Sequence, residues 1–414
     1  MNIKQIAERI ENAGGRLYLV GGAVRDKLLG IENFDEDYVV IGLTSNEFNT
    51  LFPDVFPRGK SFEVWDLYGK EFAMARTERK TGNGHKDFEI TTGKEITIEE
   101  DLKRRDITIN AIAEDVLTGK IIDPFGGKED LNKKIIKAVS DSFSEDPLRV
   151  YRVARFAAKL EFEVDNNTIK LMNKLKTELN TLSGERVCEE FKKALAAKRP
   201  SIFFETLKKA NILQEHFKEI YDLIGSIQPV KYHPEGDSYA HTMIVVDESA
   251  KQTESLEIRF AALVHDLGKG ITPKEMLPHH YGHDKNGVKL VQNLGNRLKL
   301  PQSFIKCGKT AAKEHMIGGM FEKLKPSKKV DFIERISKSL LGLKGLQIVV
   351  NSDRMGRNDA FDFTKIGIKL LKDIDGVYIM EKYNLKPGLE LKEKLRQERI
   401  EWIKLTLNNK NDKI

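Results

Sequence analysis

Cysteine is nearly missing from this chain: Cys188 and Cys307 are the only two in 414 residues, and they stand far apart. That scarcity excludes a disulfide framework and a cysteine zinc site, and it fits a reducing cytoplasm. Long apolar runs are also missing. Although 40% of residues are hydrophobic, no stretch reaches the about 18 consecutive apolar residues that a membrane span needs. The opening MNIKQIAERIENAGG reads as an amphipathic helix without signal-peptide features, so a soluble protein with no membrane partner is expected. A dominant charge is absent too: 69 Lys and Arg against 63 Asp and Glu give a net charge of +6. This mild excess is compatible with a nucleic-acid partner, but most of these charges serve as solvated surface. Internal repeats and low-complexity tracts do not occur.

What is present changes character near residue 140. Before it, short runs such as RLYLV, DYVVIG, FEVWDL and EFAMAR alternate with glycine-containing turns and read as strands. After it, helical periodicity dominates. EDPLRVYRVARFAAKL opens the helical part, with Asp146 read as an N-cap and Pro147 as the first helical residue. Further boundaries are expected near AAKRP, IQPVKYHPEGD and SDRMGRND. The basic run KLKPSKK reads as a solvated loop.

Two features between the first strands carry chemistry. LVGGAVRD places Gly21 and Gly22 between a strand and a helix, where missing side chains let backbone N–H groups approach phosphate. Arg25, one turn on, can add a charged fork. In DEDYVV, Asp35 and Asp37 are expected on one face of a strand, where their charges repel unless a cation sits between them. Magnesium takes such oxygen ligands together with nucleotide phosphates. Alone, D-x-D reads more simply as a solvated acidic turn. In sequence order, however, a phosphate-cradling turn, a helix and paired carboxylates are the parts that nucleotidyl transfer with two metal ions requires.

Asp146, Arg149, Arg152 and Arg155 follow one another at intervals of three and form a drifting stripe on a helix. A carboxylate that accepts from an exocyclic amine, beside a planar arginine fork, can read the Watson-Crick edge of C or A without a nucleic-acid template. A single carboxylate has few lone pairs for both capping a helix and reading a base. RTERKTGNGHKDF, residues 76–88, has no periodicity and reads as a mobile loop beside the site.

LVGGAVRDKLLG with DEDYVV resembles the first motif of the class II tRNA nucleotidyltransferases, the CCA-adding enzymes of the polymerase-beta superfamily. The likeness continues in the family's order through ARTERKTGNG, DLKRRDITINAIA, IIDPFGGKEDL, EDPLRVYRVARF and SGERV. It implies an α+β protein: a polymerase-beta-like head with a small mixed sheet, then a helical neck, body and tail. By residue, the resemblance implies magnesium at the catalytic Asp35 and Asp37, and nucleotide binding by Gly22, Arg25, Arg105, Asp146, Arg149, Arg152 and Arg155. Asp146 and Arg149 match the base-reading pair. In KRRDITINA, Arg105 matches a nucleotide contact, and the simpler alternative is a basic turn in which Asp106 caps a helix. The intact loop at 76–88 favours full CCA addition over CC addition.

His241, His265, His279, His280, His283 and His315 crowd into one stretch of the second half. A lone histidine is usually a satisfied core residue. Adjacent His265 and Asp266 after RFAALV, however, can converge on one ion with His241 and Asp353 from other helices. The series resembles the HD phosphohydrolase superfamily, which implies a divalent metal, nickel among the candidates, at His241, His265, Asp266 and Asp353. Bacterial CCA-adding enzymes with such a domain form a multifunctional subgroup with 2′,3′-cyclic phosphodiesterase, 2′-nucleotidase and phosphatase activities.

The expected layout is a nucleotidyltransferase head over 1–140, a neck with the nucleotide-reading helix over 141–205, a body with the HD domain over 206–360 and a tail over 361–414. The expected partners are tRNA, CTP and ATP, with a monomer or homodimer acting in the cytoplasm. Two alternatives remain. One is a bacterial poly(A) polymerase, which shares the head motifs but usually has a longer basic tail and no HD site. The other is an HD hydrolase or RNA-binding protein with an inactive transferase head.

Overall fold

RLYLV forms strand β1, Arg16–Val20, because its residues alternate between two buried faces. The computed structural model describes residues 1–32, 35–58, 63–80, 88–229, 235–354 and 361–408. The chain divides into two compact units, Met1–Glu190 with Glu205–Glu215, and Phe191–Phe204 with His216–Ile414.

In the first unit, β1 pairs antiparallel with β2, Asp37–Ile41, and β2 runs parallel to β4, Lys70–Met74. The hairpin partner of β4 is β3, Val64–Leu67. On the other side of β1 lie β7, Ala113–Asp115, and β8, Ile121–Ile122. Among the described residues this mixed sheet has the order β3-β4-β2-β1-β7-β8. Leu17, Tyr38, Val40, Trp65 and Phe72 pack on one face with Ile6 and Ile10 of the helix Ile3–Asn12. Tyr18, Val20, Val39 and Ala113 pack on the other with Ile98 and Leu102. The period of two thus places adjacent strand residues in different cores. Burying both faces fixes the register, since a slip of one residue would exchange the cores.

Three sequence expectations need correction here. Asp35 precedes β2, and Asp37 is its first residue, so the two carboxylates are not neighbours within one strand. The supposed loop at 76–88 holds a two-stranded ribbon, β5, Arg76–Lys80, paired with β6, Phe88–Thr92. Residues 81–87 lie outside the described residues. Backbone pairing needs no side-chain alternation, which is why periodicity missed it. Finally, the helix after residue 146 is Arg149–Leu160 with Leu148 at its N-cap, so Asp146 and Pro147 stand before the helix. Val150, Val153, Ala154, Ala157 and Ala158 form its buried face.

Apart from an isolated bridge between Ile227 and Asp237, the described secondary structure of the second unit is helical. Asp237 caps the helix Ser238–Gln252 by accepting from Ala240 N–H, and Ser255 caps Leu256–Val264 by accepting from Ile258 N–H. These two helices and Gln302–Gly319, Pro326–Ser337, Gly342–Asp353 and Phe363–Asp373 share a core built on Val245, Ala261, Ala311, Phe332, Val349 and Phe363. The architecture is the expected α+β head followed by helices. Among the described residues, no helix is long and apolar enough to cross a membrane.

Candidate active sites

In the first unit, a cavity of about 640 Å³ is lined by all nine residues expected at the transferase site. Nine basic and four acidic side chains line it, an excess suited to a polyphosphate. Gly21 has φ of 69°, and a Cβ there would stand 2.8 Å from Arg105 Nη1. Glycine is therefore required both for the turn and for the approach of Arg105. Gly22 opens the helix Gly22–Leu28.

Buried carboxylates fix most of the arginines. Asp101 Oδ1 accepts from Arg104 Nε and Nη2 at 3.0 and 2.7 Å, and its Oδ2 accepts from Arg105 Nη2 at 3.2 Å. Burial alone would raise the Asp101 pKa; the two guanidiniums hold it below the usual range. Arg25 is itself buried, donating from Nε to Asp26 at 2.7 Å and from Nη1 to Asn110 at 2.5 Å. Asp106 does not cap a helix. Its Oδ2 accepts from Arg152 Nε at 2.7 Å and its Oδ1 from Ile107 N–H at 2.9 Å. Burial pushes its pKa up, and Arg152 and Arg149 carry it below the ordinary value. Arg155 pairs with Glu190 at 2.5 Å and stacks over Phe156, 3.9 Å from the ring centroid. Such pairs contribute more to orientation than to net stability, because desolvation offsets much of the attraction.

The proposed base readers are set differently. Asp146 Oδ1 accepts from Leu148 N–H at 3.0 Å, and its Oδ2 accepts from Arg186 Nη2 at 3.2 Å. Arg149 donates from Nη1 to Ser142 O at 2.7 Å and from Nη2 to Arg104 O at 2.6 Å. Two backbone carbonyls thus fix the plane of its fork. Asp37 is held above its ordinary pKa, first by desolvation and then by Asp35 and Glu71, against the pull of Arg105. Paired carboxylates in that state fit a divalent cation, which would relieve the repulsion. Arg104, Asn110 and Arg186 also line the cavity but were not singled out from sequence; Asn110 and Arg186 stand inside the quoted motifs DITINA and SGERV.

In the second unit, the described residues bring His241, His265, Asp266 and Asp353 together with donor atoms within 4.8 Å of one another. His241 lies in the first turn of Ser238–Gln252, His265 and Asp266 follow Leu256–Val264, and Asp353 ends Gly342–Asp353. His241 Nε2 is 2.9 Å from Asp353 Oδ1, and His265 Nε2 is 3.2 Å from Asp266 Oδ2. His241 Nδ1 meets Glu235 at 2.7 Å, while His265 Nδ1 donates to Ala262 O at 2.7 Å. Burial would lower the His265 pKa, but Asp266 and Asp353 raise it to about 10. His265 Nε2 and Asp266 Oδ1 are buried without a hydrogen-bond partner among the described residues. Convergent nitrogen and oxygen donors with such orphaned atoms fit a divalent ion, with Glu235 orienting a ligand from behind. His283 and His315 also reach Asp266. Histidine clustering in the sequence pointed to the region but did not assign these two as ligands. His279 and His280 stand outside this set: His279 stacks on Tyr281, and His280 meets Thr272 Oγ1 and Ile227 O.

Comparisons with known proteins identify the domains along the chain. Residues 17–137 match the family described as Poly A polymerase head domain, 161–223 the probable RNA and SrmB-binding site of polymerase A, and 238–341 the HD domain. A multifunctional CCA protein of Nitrosococcus oceani is 45% identical over 324 residues, 77% of this chain and 79% of that one. One from Vibrio parahaemolyticus is 40% identical over 408 residues, 95% of this chain and 100% of its own. The fold is also that of the CCA-adding enzyme of Thermotoga maritima solved with tRNA, at 19% identity and a TM-score of 0.65, covering 98% of this chain and 96% of that one. The Bacillus stearothermophilus enzyme solved with CTP matches at 20% identity and a TM-score of 0.60, covering 99% and 98%. The chain belongs to the family of bacterial multifunctional CCA proteins, nucleotidyltransferases that add CCA to tRNA and carry an HD phosphohydrolase domain.

Proposed function

We propose that the cavity in the first unit binds CTP and then ATP and transfers CMP, CMP and AMP to the 3′ end of tRNA, choosing the base with protein side chains alone. The observation that carries this reading is the convergence of Asp35, Asp37, Arg105, Asp146 and Arg149 on one basic cavity. Asp35 and Asp37 would hold magnesium, which when bound supplies charge stabilisation at the transferred α-phosphoryl group. Arg105, anchored by Asp101 and approached closely by Gly21, would bind the triphosphate. Arg152 and Arg155, oriented by Asp106 and Glu190, would keep the incoming nucleotide in one register. Asp146 accepts from the exocyclic amine that C and A share, and Arg149 donates to the ring edge. Holding these groups in place before the nucleotide arrives reduces the reorganisation that accompanies reaction.

The second unit would hydrolyse phosphoesters at RNA ends, with 2′,3′-cyclic phosphates, 2′-nucleotides and phosphomonoesters as substrates. A divalent metal, nickel among the candidates, would be held by His241, His265, Asp266 and Asp353, and when bound it supplies an activated water. Glu235 orients His241, and Lys269, 2.5 Å from Asp266 Oδ2, contributes positive charge beside the site. Clearing a cyclic phosphate restores the 3′-hydroxyl that the transferase extends. The division into head 1–140, neck 141–205, body 206–360 and tail 361–414, and action in the cytoplasm, belong to the same reading.

The test is incubation of the full chain with tRNA lacking its CCA, labelled CTP and ATP, and magnesium. Ordered addition of two C residues and one A is expected. Addition of A residues alone would favour a poly(A) polymerase, and no addition would mean an inactive head.

A further inference from the structure

We propose that Lys159 is a further nucleotide contact of the transferase, holding the β- and γ-phosphates that depart as pyrophosphate. This rests on the transferase reading of the first unit and adds to it a residue that the motif series does not single out.

Position along one helix is the first support. Lys159 follows Arg155 by four residues and so continues the stripe of Arg149, Arg152 and Arg155 into the last turn of Arg149–Leu160. A rise of about 1.5 Å per residue sets it about 15 Å along the axis from Arg149. The proposed base reader and Lys159 therefore stand at opposite ends of the helix, yet both line the cavity that holds Asp35 and Asp37. A nucleotide with its base at Arg149 and its α-phosphate at the metal-binding carboxylates must extend its remaining phosphates beyond them. Lys159 stands at that end, where the Asp35 charge acts on it.

Crowded positive charge is the second support. Arg25, Arg152 and Arg155 lie 5.3, 5.8 and 3.9 Å from the ring centroid of Phe156, which itself lines the cavity. Lys159 is the next cation on that helix. Burial first and then the Arg25 charge lower its pKa, and Arg155 acts the same way, against the pull of Asp26 and Asp35. Cations pressed together on a cavity wall are stabilised by a polyanion laid among them.

The way each cation is held is the third support. Arg25, Arg105, Arg149, Arg152 and Arg155 each have a carboxylate or carbonyl oxygen within 3.2 Å. Lys159 is looser. Among the described residues its ion pair is with Asp26 Oδ2 at 3.9 Å, while Asp26 Oδ1 accepts from Arg25 Nε at 2.7 Å, and half of the lysine side chain stays exposed. Fixed forks suit the parts of a nucleotide that set its register, and a point charge on a flexible stem suits a group that must leave after each addition. In that step the tRNA 3′-oxygen bonds to the α-phosphorus, the hydroxyl proton passes to solvent, and the electron pair of the broken phosphoanhydride bond departs on pyrophosphate. Lys159 neutralises the charge that gathers there. A last-turn lysine also complements the carbonyl end of its helix, but that role needs no place in the cavity wall.

The experiment follows CMP incorporation by the full chain on tRNA lacking CCA, with magnesium and rising inorganic pyrophosphate. In Lys159→Gln the pyrophosphate needed for half inhibition should rise about tenfold, the loss of one charge-assisted hydrogen bond. KM for CTP and KM for ATP should rise together, since both carry the same phosphates, while KM for tRNA and the rejection of UTP and GTP stay as they were. Lys159→Arg keeps the charge and should recover most of the loss. Unchanged pyrophosphate inhibition in Lys159→Gln, or a rise confined to KM for tRNA, overturns the contact and leaves the transferase reading standing. No CMP incorporation by the unaltered chain overturns both. Lysine methylation of the unaltered chain, read by mass spectrometry, decides the matter if a variant fails to fold: magnesium pyrophosphate should shield Lys159, and undiminished labelling overturns the proposal.

Discussion

Arg186 donates from Nη2 to Asp146 Oδ2 at 3.2 Å, holding the carboxylate proposed to read the incoming base. The other oxygen of Asp146 is engaged by Leu148 N–H at 3.0 Å. Both contacts leave lone pairs on the carboxylate, so anchoring and base reading do not exclude one another. The competition between capping and reading that the sequence suggested is eased further, because the helix begins only at Arg149.

Base selection should therefore depend on Asp146, Arg149 and Arg186 in different ways. Asp146→Ala and Arg149→Ala should each lower kcat/KM for CTP and ATP by about 1–3 kcal/mol while relaxing rejection of UTP and GTP. Arg186→Ala frees the carboxylate without removing it, so CTP and ATP should weaken together while UTP and GTP stay excluded. Steady-state kinetics with the four nucleotides distinguish these patterns. An equal loss with all four in the Asp146 and Arg149 variants would instead mark a structural role at the helix start.

His216 supplies a pH-dependent stability term in the second unit. It is 6% exposed, and burial followed by the Arg297 charge lowers its pKa to about 4. Between that value and its ordinary value of 6.5, the unfolded chain binds the proton and the folded chain does not. Stability from this group is thus fully present above 6.5 and is lost as pH falls toward 4, by about 3 kcal/mol. Chemical denaturation across that window should show this acid-side fall in the unaltered chain and a shallower one in His216→Gln. Parallel curves would contradict the assignment.

The sequence disclosed these features unevenly. RLYLV and DYVVIG were legible as strands because both faces of the sheet are buried and the chain between them turns on glycine. The β5–β6 ribbon was not, since RTERK is polar throughout and the Gly- and Lys-rich stretch after it shows no period, while backbone pairing needs none. The transferase residues could be gathered in advance because they fall in ordered motifs. Asn110 and Arg186 lie within those motifs, yet their roles appear only when Arg25 and Asp146 are seen to bond to them. Asp106 looked like a cap because a short aspartate before a helix usually is one. Its engagement by Arg152, 46 residues later, is a tertiary event with no local signal. His283 and His315 were visible as histidines, but their convergence on Asp266 needs the packing of separate helices.

The central claim is that one chain carries two chemistries in two units with no shared residue. It is tested most directly by measuring CMP incorporation into tRNA lacking CCA and hydrolysis of 2′,3′-cyclic AMP side by side for Asp37→Ala and His265→Ala. Asp37→Ala should lose CMP incorporation by several kcal/mol equivalent, on the order of a metal-ligand contribution, and keep hydrolysis. His265→Ala should do the reverse. Near-normal CMP incorporation by Asp37→Ala, or loss of both activities in either folded variant, would contradict the account.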